Sequence, residues 1–280
     1  MKQAALLKKQ FGLTLVELMV AMLVGLLLMA GILKVFSSNQ QTYRVTENLS
    51  RVQENGRYAI DILTRSVRKA GHAGNNENSH KVSFLAAPTL LASPAPANFS
   101  IDDVIAGNNN EFSIRYIAGD KTNITDCLGN TVPAGTEVTN RFYLDAANKE
   151  LECSSTLGGA QPLVDNVEDM QILYGLSTDP TLLTGLGHQV QVDCYLPAEQ
   201  PVGTSNVTTS AVTNCTSGLN FRQVVSIRIH LLISTPDDNV TPANQNQSYL
   251  YNSSPATLLA PDNRLYREFS TSIALRNRVL

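Results

Sequence analysis

The sequence predicts an α+β protein: one long N-terminal helix, transmembrane in its first half and amphipathic in its second, packed on an antiparallel β-sheet head. Three observations lead to this prediction. The run at residues 13–33 is almost wholly apolar and carries one ionisable side chain. Apolar residues then recur at helical spacing to about residue 69. Beyond residue 75, short stretches that suit strands follow one another without long helical patterns between them, which favours an antiparallel sheet.

The N-terminal segment has the order of a membrane anchor that remains on the mature protein. Residues 1–12 read MKQAALLKKQFG, a short basic leader that ends in glycine. As a helix, the apolar run at 13–33 spans about 30 Å, the thickness of a bilayer core. An ordinary secretory signal is cut after its apolar region, but here the only suitable cleavage point, Gly12, precedes that region. The basic leader predicts a cytoplasmic N-terminus and export of the remainder.

The stretch from Gly12 to Leu18, GLTLVEL, resembles the type IV prepilin processing site. The resemblance implies that a prepilin peptidase cuts after Gly12 and methylates the new amino terminus, Leu13. The family most often has phenylalanine at that position, so leucine is a departure. It also implies that Glu17 pairs with the free α-amino group of a neighbouring subunit, since an unpaired carboxylate in a membrane is costly. Solvation of Glu17 at the headgroup level is the alternative.

The second half of the helix carries an apolar stripe that we expect to pack on the head. Polarity rises after Phe36, and Lys69 with Gly71 predicts the helix end. The predicted organisation is a leader at 1–12, a transmembrane part at 13–36, an amphipathic continuation at 37–70 and a periplasmic β-rich head at 75–280. The residues of the stripe are Leu49, Val52, Gly56, Ala59, Leu63 and Val67.

The head is predicted to consist of short strands. The clearest has alternating residues from Val224 to Ile233, and the last has strand-favouring Thr271 and Ile273, although its residues would also fit one face of a helix. The pair Gly158–Gly159 is predicted to form a turn. The predicted strands are 81–86, 111–118, 140–146, 168–175, 189–195, 221–234 and 264–276.

Several segments resemble a narrower family, the PilW-like minor pilins: residues 49–59, 164–175, 224–229 and 269–278. The resemblance implies a minor pilin that primes type IV pilus assembly in a complex of minor pilins, at the pilus tip. The implied partners are other minor pilins, the major pilin, prepilin peptidase, the inner membrane and a tip adhesin. Two alternatives remain open: a GspJ-like minor pseudopilin of type II secretion, and a membrane-anchored hydrolase or adhesin.

Four cysteines follow the apolar run, and none forms a C-x-x-C pair, which argues against a zinc or thioredoxin-like site. An even number in an exported domain predicts two disulfides. Sequence allows three connectivities, and the shortest loops favour Cys127–Cys153 and Cys194–Cys215.

No motif for catalysis or for a cofactor is present in the sequence, so we expect no enzyme activity, no cofactor and no metal. None of the four histidines is paired at metal-ligand spacing. The acidic segments 165–169 and 236–239 lack calcium-loop spacing, and turn formation explains them better. The net charge is −3, and removing the three lysines of the leader lowers it to −6. A mildly acidic chain without a basic cluster gives no sign of nucleic-acid binding.

Overall fold

The structure, a computed structural model, describes residues 12, 14–74, 99–100, 102–120, 124–177, 191–198, 219–238, 240–241, 247–252 and 257–278. They form two compact units, Met1–Glu47 and Asn48–Leu280. One helix, α1, runs from Leu15 to Val67 and contributes its residues to both units. The second unit contains the head, so the head unit begins within the helix.

Eleven strands follow α1 in the described residues. In chain order they are β1 (Ile105–Gly107), β2 (Glu111–Ile117), β3 (Glu137–Asp145), β4 (Glu150–Ser155), β5 (Gly158–Val164), β6 (Val167–Leu176), β7 (Cys194–Leu196), β8 (Val224–Ser234), β9 (Ser248–Tyr249), β10 (Leu258–Leu259) and β11 (Tyr266–Ala274). Short 3₁₀ helices at Phe221–Gln223 and Arg276–Arg278 flank the two ends of the β8–β11 region.

The strands form antiparallel sheets. The first has the order β1-β2-β3-β4-β5, the second has the order β11-β8-β6-β7, and β9 pairs with β10 in a separate hairpin. In the second sheet Ile229 of β8 lies between Ile172 of β6 and Thr271 of β11. The predicted α+β class, with one long helix and an antiparallel head, is therefore confirmed, but the head has two large sheets where one was predicted.

The core of the second unit joins the helix to both large sheets. Val52, Ala59 and Leu63 of the predicted stripe are buried together with residues such as Phe142 from the first sheet and Ile229 from the second. Because these three helix positions recur near every fourth residue, one face of α1 enters the core while the opposite face stays exposed. The helix ends as predicted near Lys69, and Gly71 has a φ of 74°, a conformation that glycine adopts without strain.

A smaller apolar cluster lies on the opposite face of β8. It contains Leu232, Tyr251, Ala260 and Tyr266, and the ring of Tyr249 stacks on that of Tyr266 at 5.2 Å between centroids. The segment around β9 and β10 therefore covers part of the second sheet, which makes β8 buried on both faces.

Several strand boundaries differ from the sequence predictions. Residues 221–223 form a 3₁₀ turn, because the Asn220 side chain accepts a hydrogen bond from the Arg222 backbone N–H. Of the described residues 191–195, only the last two belong to a strand, which continues to Leu196. Gly158 and Gly159 begin β5 instead of forming the turn, which lies one step earlier at residues 156–157. Strands β1, β4, β5, β9 and β10 were not predicted, and the predicted strand at 81–86 lies outside the described residues.

Candidate functional site

The first helical turn is closed by a reciprocal set of hydrogen bonds between Thr14 and Glu17. The Thr14 hydroxyl accepts from the Glu17 backbone N–H at 3.3 Å. The Thr14 backbone N–H and hydroxyl both donate to Oε2 of Glu17, at 3.3 and 3.2 Å. This is a capping box, in which a threonine before the helix and a glutamate three residues later satisfy each other's polar groups. Glu17, which is predicted to pair with a neighbouring subunit, therefore also caps the first turn of α1.

The predicted processing position is accessible. Gly12 is exposed, and a Cβ added there would meet no atom within 4 Å. Leu13, the predicted new N-terminus and methylation position, lies outside the described residues. A protease needs an exposed chain at the bond it cuts, and on the Gly12 side of that bond the chain is exposed.

The apolar half of the helix has the surface of a membrane segment. Large hydrophobic side chains are exposed on all sides from Leu15, which is 76% exposed, to Phe36, which is 60% exposed. The most apolar window of α1 is long enough to cross a membrane, and none of it is buried. The core helix of a soluble protein would be mostly buried. We therefore expect lipid or other apolar helices to cover the exposed apolar surface of this segment.

Two asparagines of the second half of α1 hold the head through polar contacts. Asn48 is 2% exposed; its Nδ2 donates to Oδ2 of Asp237 at 3.0 Å, and its Oδ1 accepts from the Asp237 backbone N–H at 3.3 Å. Asn55 Nδ2 donates to Oδ1 of Asp165 at 2.8 Å. The acidic segments 165–169 and 236–239, predicted to form turns, therefore also bind the helix. This contact depends on the fold and could not be predicted from the sequence.

A glycine on the same helix face allows a close aromatic contact. A Cβ added to Gly56 would lie 2.3 Å from Cε2 and Cζ of Phe269 on β11. No side chain fits there unless the ring moves, so the absence of a side chain at residue 56 sets how closely α1 approaches β11.

One predicted disulfide, Cys127–Cys153, is formed, with 6.4 Å between the two Cα atoms. It ties the loop before β3 to the middle of β4, and both cysteines are buried. Cys194 is also disulfide-bonded. The fourth cysteine, Cys215, lies outside the described residues.

The described part of the head contains no group of three metal-ligating side chains. His230 is buried and its Nδ1 lies 2.5 Å from Oε1 of Glu268, an ion pair when the histidine is protonated. Arg141 pairs with Glu111, and both bridge neighbouring strands of the first sheet. Burial lowers the pKa of Lys69, although Asp126 opposes this, and its ammonium donates to the Thr125 carbonyl at 2.7 Å. Each of these groups joins elements of the fold to one another.

Comparison with known proteins gives two family matches. The model for the type IV pilus-assembly protein W family matches residues 141–277, and the prokaryotic N-terminal methylation motif matches residues 7–33. The first match covers the head from within β3 to the second 3₁₀ helix, and the second covers the segment around Gly12 and Glu17. They therefore agree with the resemblances found at both ends of the chain.

Among solved structures, the chain is similar to a type IV-like pilin from Thermus thermophilus. The identity is 12%, the alignment covers 84% of this chain and 98% of that chain, and the TM-score is 0.37. No curated protein matches the sequence.

Proposed function

The chain belongs to the PilW family of type IV pilus-assembly proteins, and from this premise we propose that it joins other minor pilins in a complex that primes pilus polymerisation and occupies the pilus tip. Its role in this proposal is assembly, without catalysis. The anchor lies in the inner membrane and the head in the periplasm, where an oxidising environment maintains the disulfides.

One observation carries the proposal: a prepilin motif and an exposed apolar helix precede a PilW domain in the same chain. The motif match at residues 7–33 supports the proposed cleavage after Gly12, and cleavage there, before the apolar segment, would leave that segment on the mature protein. In the membrane this segment contacts lipid until a filament offers it apolar helices of other subunits. The same surface therefore serves as anchor first and as filament contact later.

Processing also changes the charge beside Glu17. In the precursor the nitrogen of Leu13 is an uncharged amide, and Glu17 interacts with Thr14 in the capping box. Cleavage turns that nitrogen into an ammonium, which the positive end of the helix dipole disfavours. A carboxylate from a neighbouring subunit offsets that cost in a medium of low dielectric constant, where charge pairs are strong. Only processed subunits thus supply the cation that Glu17 needs.

The head is proposed to select the partners. Val52, Ala59 and Leu63 bury α1 in the head core, and the contacts of Asn48 and Asn55 fix the head on the helix. All of these contacts lie within the head unit, so the surfaces of that unit keep a fixed arrangement relative to the helix segment it contains. Defined placement is what a subunit needs to accept particular neighbours and reject others.

The test is an in-frame deletion of this gene in its source organism, scored in the same cultures for surface pili and for secreted hydrolase activity. We expect pili to be lost or strongly reduced while secretion stays normal. Complementation with the full-length chain should restore the pili, and complementation with an uncleavable Gly12→Asp chain should not.

Normal pili with failed secretion would refute the proposal and establish the minor pseudopilin of type II secretion. Normal pili with normal secretion would also refute it, and would favour a membrane-anchored protein whose head acts alone. To locate the protein, an epitope tag on the head should appear in immunogold images at one end of sheared pili. Labelling along the whole filament would contradict the tip placement.

A further inference from the structure

A pocket of about 370 Å³ opens on the head. It lies where the β1–β2 turn, β6, the segment after β7 and residue 252 come together. Its volume is at the lower end of the roughly 300–1,000 Å³ typical of small-molecule sites. Residues distant in sequence form its walls, and most of the side chains among them are polar: Asn109, Asn110, Asp169, Gln171 and Asn252.

The polar side chains of one wall hold each other in fixed orientations. The Asp169 carboxylate accepts from the Met170 backbone N–H at 2.9 Å and from Nε2 of Gln171 at 3.2 Å. Gln171 Oε1 in turn accepts from Nδ2 of Asn252. Because Gln171 uses both ends of its amide in these bonds and Asn252 uses its Nδ2, the orientations of both side chains are set before any ligand arrives. Such preorganisation reduces the entropy lost on binding.

That chain of hydrogen bonds ends in an acceptor without a donor. Oδ1 of Asn252 is buried and has no hydrogen-bond partner in the described structure. Buried polar oxygens are nearly always paired, because leaving one without a donor costs free energy. An O–H group of a ligand in the pocket would supply the missing donor.

The β1–β2 turn, which contributes Asn109 and Asn110 to the lining, is also held in place by hydrogen bonds. Oδ1 of Asn108 accepts from the backbone N–H groups of Asn110 and Glu111 at 2.8 and 2.9 Å, which closes the β1–β2 turn. The hydroxyl of Tyr174, which is fully buried, donates to the Asn108 carbonyl at 3.0 Å. Oδ1 of Asn109 accepts from the Ala198 backbone N–H at 2.9 Å. The pocket is therefore bounded by a fixed turn, not by a free surface loop.

The chemistry of the lining selects a class of ligand. Among the lining residues that the structure describes there is no lysine, arginine or histidine, and the one charged group is the Asp169 carboxylate, so anionic ligands are disfavoured. Carboxamides both donate and accept, as hydroxyl groups do. Leu173 and Pro197 add an aliphatic part, which suits the C–H face of a sugar ring. We propose that this pocket binds a neutral saccharide, one or two sugar units in size, through its hydroxyl groups.

The first experiment measures binding of sugars to the full-length chain in micelles of a sugar-free zwitterionic detergent, since maltoside and glucoside detergents carry the proposed ligand. Glucose, galactose, mannose, N-acetylglucosamine and lactose at millimolar concentration serve as probes in saturation-transfer NMR. Glucuronate and lysine test the charged classes. We expect saturation transfer to at least one neutral sugar and none to glucuronate. Transfer to no neutral sugar, or stronger transfer to lysine or glucuronate, would overturn the proposal.

The second experiment removes the acceptor without disturbing the backbone. Asn252 has a φ of 56°, which glycine adopts freely, so Asn252→Gly deletes the side chain without strain. Asn166, with a φ of 59° in the β5–β6 turn, allows the matched control Asn166→Gly. Loss of one buried hydrogen bond predicts about tenfold weaker sugar binding for Asn252→Gly and an unchanged value for the control.

Two outcomes of that comparison would overturn the assignment: equal affinity of Asn252→Gly and wild type, or an equal loss in both variants. Pilus numbers in cells carrying Asn252→Gly should match wild type, because Asn252 is not among the residues proposed for assembly. A sugar-binding defect with normal piliation therefore tests this site separately from the assembly role.

Discussion

Replacing Gly56 with alanine tests the closest contact between the helix and the second sheet. In an exposed helix, glycine to alanine stabilises by about 1 kcal/mol, because alanine has the higher helix propensity. Here the new methyl group would lie 2.3 Å from the ring of Phe269, well inside van der Waals contact. Forcing extra volume into a packed site typically costs about 1–3 kcal/mol. The balance predicts a net loss of about 1 kcal/mol for Gly56→Ala.

Thermal unfolding of the full-length chain, followed by circular dichroism, provides the measurement. For a head of this size a loss of 1 kcal/mol lowers Tm by about 2–4 °C. The control is the same substitution in a Phe269→Ala background, where the ring that would clash with the new methyl group is absent. There Gly56→Ala should raise Tm, because only the helix-propensity gain remains. A stabilising effect of equal size in both backgrounds would refute the close approach of α1 to β11.

Four further changes test other parts of the molecule. Glu17→Gln keeps the capping box, since glutamine also serves at that position, but removes the charge; processing should persist on immunoblots while incorporation into sheared pili falls, and normal incorporation would exclude the charge pair. Asn48→Ala should lower the free energy of unfolding by about 1–2 kcal/mol in urea titrations, because both hydrogen bonds to Asp237 are lost; no change would mean that the contact is not formed. Cys153→Ser should lower the free energy of unfolding by about 3 kcal/mol, since the disulfide Cys127–Cys153 closes a loop with a sequence separation of 26. A reductant should then lower the stability of this variant by less than it lowers that of wild type. Burial raises the pKa of Tyr116 to about 12; the unfolded chain therefore loses this proton first, stability falls as pH rises from about 10 to 12, and Tyr116→Phe should flatten that fall.

Much of the helix was predictable because its signals are local. The apolar run, the positions of Gly12 and Glu17, and the stripe through Val52, Ala59 and Leu63 all follow from spacing along one segment. The strand β8 was found for the same reason, since its apolar residues alternate over eleven positions. In each case the side-chain pattern of one segment contains the information that its structure requires.

The missed strands depend on their neighbours. In β5 the residues from Gly158 to Pro162 are all exposed, and two glycines and a proline oppose strand formation. It forms because β4 offers it a pairing edge, and it lies at the edge of its sheet, where proline is tolerated. Strand β3 was predicted at 140–146, but its position in the centre of the first sheet was not, because its buried residues Asn140 and Arg141 are polar. The division into two sheets is likewise set by long-range pairing.

The pocket could not be predicted from the sequence for a related reason. Asn109, Gln171 and Asn252 are separated by long stretches of chain, and asparagine and glutamine are common at surfaces. Nothing in the local sequence distinguishes these amides from the many that face solvent. Only the fold brings them together and leaves Oδ1 of Asn252 buried without a donor.

The place of the helix in the head is specified by two residues that hydrophobic periodicity does not explain. Asn48 is buried at the start of the head unit, and Gly56 lies two turns later beneath Phe269. A slip of one turn would bring Arg44 or Val52 to Asp237 and would place a larger side chain, Val52 or Ile60, against the ring. Apolar residues alone would tolerate such a slip, since the stripe repeats every turn. The buried amide of Asn48 and the absence of a side chain at Gly56 do not tolerate this slip. They therefore fix one register of the helix in the head, whereas the apolar stripe alone would allow several.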